Sequence, residues 1–146
     1  MKKLTLIIPA KNESEALPLV LDELKIYNLN INIILHESDV STIRSIENYP
    51  VNLIYQDNKG YGDALIKGIE TCTTDYFSIF NADGSFNPSE LKTMLFYIEK
   101  DKYDFVFGSR YQKKSGSEDD TIITLVGNYI FTWIGRFIFN LNISDI

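Results

Sequence analysis

Short apolar runs recur along this chain at Leu4–Ile8, Ile31–Leu35, Val51–Tyr55, Tyr76–Phe80 and Phe105–Phe107, and each gives way abruptly to a polar loop. Several of the runs lack the alternation of a half-exposed strand, which is the pattern of strands covered on both faces. Helical periodicity fills the gaps between them. Leu17, Val20, Leu21 and Leu24 fall at i, i+3, i+4 and i+7 behind a cap expected at Ser14, and Leu91, Met94, Leu95 and Ile98 repeat that spacing. The second helix is announced by Asn87-Pro88-Ser89-Glu90, where Asn87 suits the cap, Pro88 the first helical position and Glu90 the reach back. Strand starts roughly 20 to 30 residues apart are the pitch of successive βα units, so the expected fold is α/β, a mainly parallel sheet flanked by helices.

In such sheets ligands bind beyond the carboxyl ends of the strands. The residues following each run are Pro9-Ala10-Lys11-Asn12-Glu13, His36-Glu37-Ser38-Asp39, Asp57-Asn58-Lys59-Gly60-Tyr61-Gly62, Asn81-Ala82-Asp83-Gly84-Ser85 and Gly108-Ser109-Arg110-Tyr111. Five successive strand ends with polar, charged or glycine-bearing loops make one rim, and a site is expected there.

Composition bounds what that site binds. The chain has 146 residues, 45% of them hydrophobic, which suits one ordered domain with a real core. Fourteen basic residues against 20 acidic ones leave a net charge of −6, which excludes a nucleic-acid-coating role. A phosphate-bearing ligand must then be held by a few local donors or by a metal ion. Cys72 is the sole cysteine, so there is no disulfide framework, and it reads as a small buried hydrophobe in a reducing compartment. The apolar run Leu4–Ile8 is too short for the core of a signal peptide, so a first buried strand and a cytoplasmic location are expected.

Each candidate has a plain reading beside the functional one. Asp83 is placed where it can meet a divalent ion bridging a diphosphate, but an Asp–Gly turn accounts well for the local residues and is the leading reading on those residues alone. Gly60-Tyr61-Gly62 lacks the third glycine of a dinucleotide fingerprint, since Leu65 stands there, and reads as a tight turn into a helix from Asp63. Lys59 in that loop offers a cation to a phosphate. Arg110 offers a bidentate guanidinium fork, or a surface ion pair. Glu13 and Glu37 can accept from a base or ribose hydroxyl, and Glu13 can equally serve as a charge at a helix N-terminus. His36, the one histidine, reads as a polar strand-end residue rather than a base. The segment Thr121–Phe139 carries one charge, Arg136, and is interrupted by Gly127, Asn128 and Gly135. A buried helix and a helix in the membrane interface both account for it, and the expected compromise has one face on the domain and one toward lipid or a partner chain.

Taken in order, Pro9-Ala10-Lys11-Asn12-Glu13, Asn58-Lys59-Gly60-Tyr61-Gly62, Asn81-Ala82-Asp83-Gly84 with Pro88, Gly108-Ser109-Arg110-Tyr111 and Ser144-Asp145 resemble the family 2 glycosyltransferases of GT-A (nucleotide-diphospho-sugar transferase) fold. Within that family the likeness is to the dolichyl- and polyprenyl-phosphate sugar transferase branch. The resemblance implies an inverting transfer of a sugar from a nucleoside-diphosphate donor, with Mg²⁺ or Mn²⁺, to an acceptor such as a polyprenyl phosphate or a glycan, in cell-envelope polysaccharide synthesis at the inner face of a membrane. It implies that Pro9, Ala10, Asn12 and Glu13 contact the nucleoside and that Glu37 holds the base or ribose. Lys59, Asn81, Ala82 and Arg110 complete the donor site, with Arg110 gripping phosphate. Asp83 is the implied metal ligand, and Asp145 lies near the acceptor side; Asp83, Arg110 and Asp145 form the implied catalytic set.

Three departures accompany the likeness. His36-Glu37-Ser38-Asp39 replaces the family's Asp-Asp-Gly-Ser, which alters base recognition. Asn81 replaces the first Asp of Asp-x-Asp, and an amide holds a metal-bound water but brings no charge. The chain ends at Ile146, so residues 1–120 are expected to form the nucleotide-sugar-binding core and 121–146 an apolar helix and the start of a truncated acceptor-side segment. A nucleotide-sugar-binding module without turnover is the alternative reading. A nucleotidyltransferase shares the architecture, but its glycine-rich first loop is missing from Pro9–Glu13.

Overall fold

The computed structural model describes residues 3–101, 103–108 and 122–138, and the chain divides into two compact units, Met1–Glu90 and Leu91–Ile146. In the first unit β1 (Leu4–Pro9), β2 (Asn30–Leu35), β3 (Asn52–Tyr55) and β4 (Tyr76–Ile79) form one four-stranded sheet in the order β3-β2-β1-β4. Every pairing is parallel. The predominantly apolar runs of β1 and β2 have the burial their composition predicts: Leu6, Ile7, Ile8, Ile33, Ile34 and Leu35 are all 0% exposed. Burial that complete contributes about 1.5–3 kcal/mol for each such side chain. Asn32 is the polar exception inside β2. It pairs in register with Asn52, whose Nδ2 donates to Asn32 Oδ1 at 3.0 Å. A one-residue slip of β3 takes that partner away from a buried amide, so the pair helps to pin the register.

Three helices accompany the sheet: α1 (Ala16–Leu24), α2 (Val40–Ser45) and α3 (Tyr61–Glu70). The residues of α1 that are buried are Leu17, Val20, Leu21 and Leu24, the four picked out by periodicity. Close approach of α3 to β1 and β2 depends on Gly68, where an added Cβ would lie 2.4 Å from Ile7 Cγ2 and 3.0 Å from Ile34 Cδ1. Ile7, Ile34 and Ala64 form the buried cluster at that contact, with Ile54 packed against it. The path β1, β2, β3 runs outward to one edge, and β4 then returns to the other side of β1. That reversal opens a crevice at the carboxyl ends of β1 and β4.

In the second unit α4 (Glu90–Asp101) and α5 (Ile122–Ile138) are helical. Helix α4 begins at Glu90 rather than at the expected Pro88, and Asn87 Oδ1 accepts the Ser89 N–H at 3.0 Å in the turn that leads into it. Leu91 is buried and Met94, Leu95 and Ile98 are half-buried, matching the periodic stripe. On α5, Trp133 and Phe137 stack one turn apart at 4.7 Å. Among the described residues no helix is long and apolar enough to cross a membrane.

The structure corrects four other expectations. The cap of α1 is Glu15 rather than Ser14, and no side-chain hydrogen bond closes it. Helix α3 begins at Tyr61, two residues ahead of Asp63, because Gly60 at φ 127° makes the turn that an L side chain resists. Cys72 is half-buried, with its Sγ 3.3 Å from the Thr74 hydroxyl at the connection leading into β4. Phe105–Phe107 is not a strand; its two phenyl rings stack at 6.1 Å and are 73% and 78% exposed. A three-residue run supplies too few ladder bonds to hold itself extended.

Candidate functional site

At the carboxyl ends of the four strands lies a cavity of about 910 Å³. The loop after β1 contributes Pro9 to Glu13, the loop after β2 His36 and Ser38 to Ser41, the loop after β3 Gln56 and Lys59 to Tyr61, and the loop after β4 Asn81 to Asp83. Of the residues singled out in the sequence, Pro9, Ala10, Asn12, Glu13, Lys59, Asn81, Ala82 and Asp83 are brought together here. Glu37 is exposed and is not among the lining residues, although His36 and Ser38 on either side of it are. Arg110 and Asp145 lie outside the described residues, as do Ser109, Tyr111 and Ser144.

The first loop is fixed from the second. Asn12 occupies the left-handed region at φ 60°, a conformation that asparagine tolerates better than most residues. Its N–H donates to Asp39 Oδ2 at 2.7 Å, and the Glu13 N–H donates to Thr42 Oγ1 at 3.0 Å. Asp39 is also the cap of α2, its Oδ1 accepting from the Thr42 N–H at 3.3 Å and the Ser41 hydroxyl at 3.1 Å. Burial works to raise the Asp39 carboxyl, but the bonds from Asn12, Thr42 and Ser41 outweigh it and hold the group below its ordinary value. Sequence reasoning placed Asp39 in the loop without a role. The signal was present as Asp39-Val40-Ser41-Thr42, an acidic cap followed by hydroxyl residues at the start of a helix. His36 Nδ1 lies 2.8 Å from the Ser38 hydroxyl and 3.2 Å from the Ser38 backbone nitrogen, which folds the second loop back on its own start.

The third loop is braced on Asp63, which accepts from both Asn58 N and Asn58 Nδ2 at 3.0 Å. Those bonds, the Asn58 side chain first, hold the Asp63 carboxyl low. Gln56 Nε2 donates to the carbonyls of Asn58 and Gly60, closing the turn. Asp57 pairs with Lys67 at 2.8 Å. Lys59, in the same loop, forms no ion pair or hydrogen bond among the described residues, which leaves its ammonium available to a ligand.

The fourth loop gathers on Ser85. Its N–H donates to Asp83 Oδ1 at 2.9 Å, and its Oγ accepts from Asn81 Nδ2 at 3.0 Å. Gly84 sits at φ 80° between them. The loop is thus the Asp–Gly turn of the plain reading, and the turn fixes the orientation of Asp83. Burial acts to raise the Asp83 carboxyl, but hydrogen bonds from the Ser85 hydroxyl, the Ser85 N–H and its own N–H prevail, so it lies below the ordinary carboxylate value and is charged at neutral pH. Among the described residues no three His, Cys, Asp or Glu side chains cluster as a complete metal cage. Asp83 and Asn81 line the same cavity, one with a carboxylate and the other with an amide.

Comparison with known proteins bears on the family. Curated relatives from Mycobacterium bovis and from two strains of Mycobacterium tuberculosis, each described as an uncharacterized glycosyltransferase, are 25% identical to this chain over 142 residues. The alignment covers 97% of this chain and 63% of each relative, so the chain spans less than two thirds of their length. Residues 5–144 match the family described as Glycosyl transferase family 2. With a parallel sheet whose strand ends converge on one cavity and a family match running nearly from end to end, the chain belongs to glycosyl transferase family 2.

Proposed function

We propose that this domain binds a nucleoside-diphosphate sugar in the cavity and transfers the sugar, with inversion, to an acceptor of the polyprenyl-phosphate class. The observation that carries the reading is that one cavity is lined both by an oriented, charged Asp83 and by Lys59, whose ammonium has no partner among the described residues. On a chain whose overall charge repels anions, the Lys59 ammonium suits a diphosphate directly, and Asp83 would do so through a bound cation. In this reading Pro9, Ala10, Asn12 and Glu13 hold the nucleoside, Lys59 and Arg110 grip the phosphates, and Glu37, which does not line the cavity, would have to turn inward to reach the base or ribose. Asp145 is assigned to the acceptor side by the family resemblance. Asp83, with Asn81, would hold Mg²⁺ or Mn²⁺, which when bound supplies positive charge against the departing diphosphate. An acceptor oxygen forms the new bond to the anomeric carbon as the bond to the diphosphate oxygen breaks and its electron pair leaves with the nucleoside diphosphate. A phosphate acceptor is already an anion and needs no base. The apolar helix α5 would rest on the membrane surface from which a lipid acceptor comes.

A second reading, a nucleotide-sugar-binding module without turnover, is favoured by one residue: Asn81 brings an uncharged amide where a second carboxylate strengthens metal binding. Calorimetric titration with UDP, GDP and their sugar conjugates, with and without Mn²⁺, followed by a transfer assay, separates the two. The expected result is metal-dependent binding of one nucleotide, lowered about tenfold or more by Asp83→Asn, and transfer that the same variant abolishes. Binding without transfer selects the second reading. Undiminished metal-dependent turnover in Asp83→Asn removes Asp83 from the mechanism.

A further inference from the structure

The loop after β1 is held to the start of α2 by two bonds that cross 27 and 29 residues of sequence, Asn12 N–H to Asp39 Oδ2 and Glu13 N–H to Thr42 Oγ1. We propose that Asp39, assisted by Thr42, is a positioning residue that sets the Pro9–Glu13 loop in the shape that receives the nucleoside; the inference rests on the donor-site reading above. Both bonds take backbone N–H groups out of play. With those donors turned to α2, the Asn12–Glu13 pair cannot act as a backbone cradle for phosphate, and what it offers a ligand is carbonyl and side-chain groups. Such groups recognise the hydroxyls and ring edges of a nucleoside, whereas the diphosphate is left to Lys59 and Asp83 across the cavity.

The chemistry at Asp39 requires a carboxylate. Oδ2 takes the Asn12 N–H while Oδ1 takes the Thr42 N–H and the Ser41 hydroxyl, so both oxygens act as acceptors. An Asn at this position sets an NH₂ group against one of those donors whichever way the amide is turned. Thr42 is 0% exposed, so replacing its hydroxyl by a methyl leaves the Glu13 N–H facing an apolar group. The left-handed Asn12 then loses what holds it, and the loop relaxes toward commoner backbone shapes.

The test measures amide hydrogen exchange at Asn12 and Glu13 in the wild-type chain, Asp39→Asn, Thr42→Val and Thr42→Ser, together with the affinity for UDP, GDP and pyrophosphate in the presence of Mn²⁺. Exchange reports the clamp with no ligand present, so a failure of the clamp and a failure of the donor-site reading are told apart. The expected result is loss of protection at Asn12 in Asp39→Asn and at Glu13 in Thr42→Val. Nucleotide affinity falls about tenfold or more in both, pyrophosphate binding is unchanged, and Thr42→Ser, which keeps the hydroxyl, behaves as wild type. Unchanged exchange in Asp39→Asn overturns the clamp. Lost protection with unchanged nucleotide affinity overturns the positioning role, and so does an equal loss of pyrophosphate binding, which means general damage. A wild-type chain with protected amides that binds neither nucleotide overturns the donor-site reading and reduces the clamp to a loop fastener.

Discussion

Asp39 gathers three donors on two oxygens, and its protonation is therefore linked to the stability of the fold. Its native carboxyl lies below the ordinary value of 3.8, so the unfolded chain takes up the proton first as pH falls. The stabilisation is complete above that ordinary value and is lost as pH drops through the lower native one. Urea midpoints measured across this acid range should fall for the wild-type chain and fall less steeply for Asp39→Asn, which has no such proton to bind. Parallel curves for the two proteins contradict the linkage. At neutral pH the variant should be less stable by about 1 kcal/mol, the usual scale for a lost cap bond.

Among the elements, the contact of α3 with the sheet is the most exacting, because the helix approaches β1 and β2 over a position with no side chain. Gly68→Ala drives a methyl into Ile7 and Ile34 in a packed layer and should destabilise the domain by about 1–3 kcal/mol in denaturant unfolding. Gly62→Ala is the internal contrast: in the same helix an added Cβ there meets nothing within 4 Å, and the change should stabilise by about 0.4–1 kcal/mol. Equal effects at the two positions would show that helix propensity, not packing, sets the outcome. The elements that could be read from sequence are those whose pattern is set by burial. Leu17, Val20, Leu21 and Leu24 mark α1 because its inner face is a single stripe, and β1 and β2 are predominantly apolar runs because both faces are covered. What escaped reading depends on local bonding or on partners. Ser14 looks like a cap but the chain has not yet turned into helix there, and Phe105-Val106-Phe107 has strand composition without the length to act on it. In the site, the sequence pointed to the loops that meet but not to the residue that ties two of them together. The cap of α2 is signalled by Asp39-Val40-Ser41-Thr42, but the tie from Asp39 to the Asn12 N–H is not, because no side-chain pattern encodes a backbone donor from another loop.

Across the whole molecule, a net charge of −6 sets the terms for any anionic ligand. The field of the chain opposes a diphosphate, so the proposed donor reading requires local cations and a metal at Asp83 to supply the affinity. Chelation with EDTA should therefore weaken binding of a nucleoside diphosphate far more than binding of the corresponding nucleoside, by about tenfold or more in a paired titration. Equal losses for the two ligands would mean that the metal supports the protein rather than the phosphates. Because every strand of the sheet points the same way, the molecule also has a rear. Thr5 and Thr74 share a hydrogen bond of 2.7 Å there, and Cys72, the sole thiol, sits beside Thr74. Thiol-labelling kinetics at Cys72 thus time the opening of the rear rim without obstructing the front, and any slowing on ligand addition measures how far tightening at one end of a parallel sheet is felt at the other.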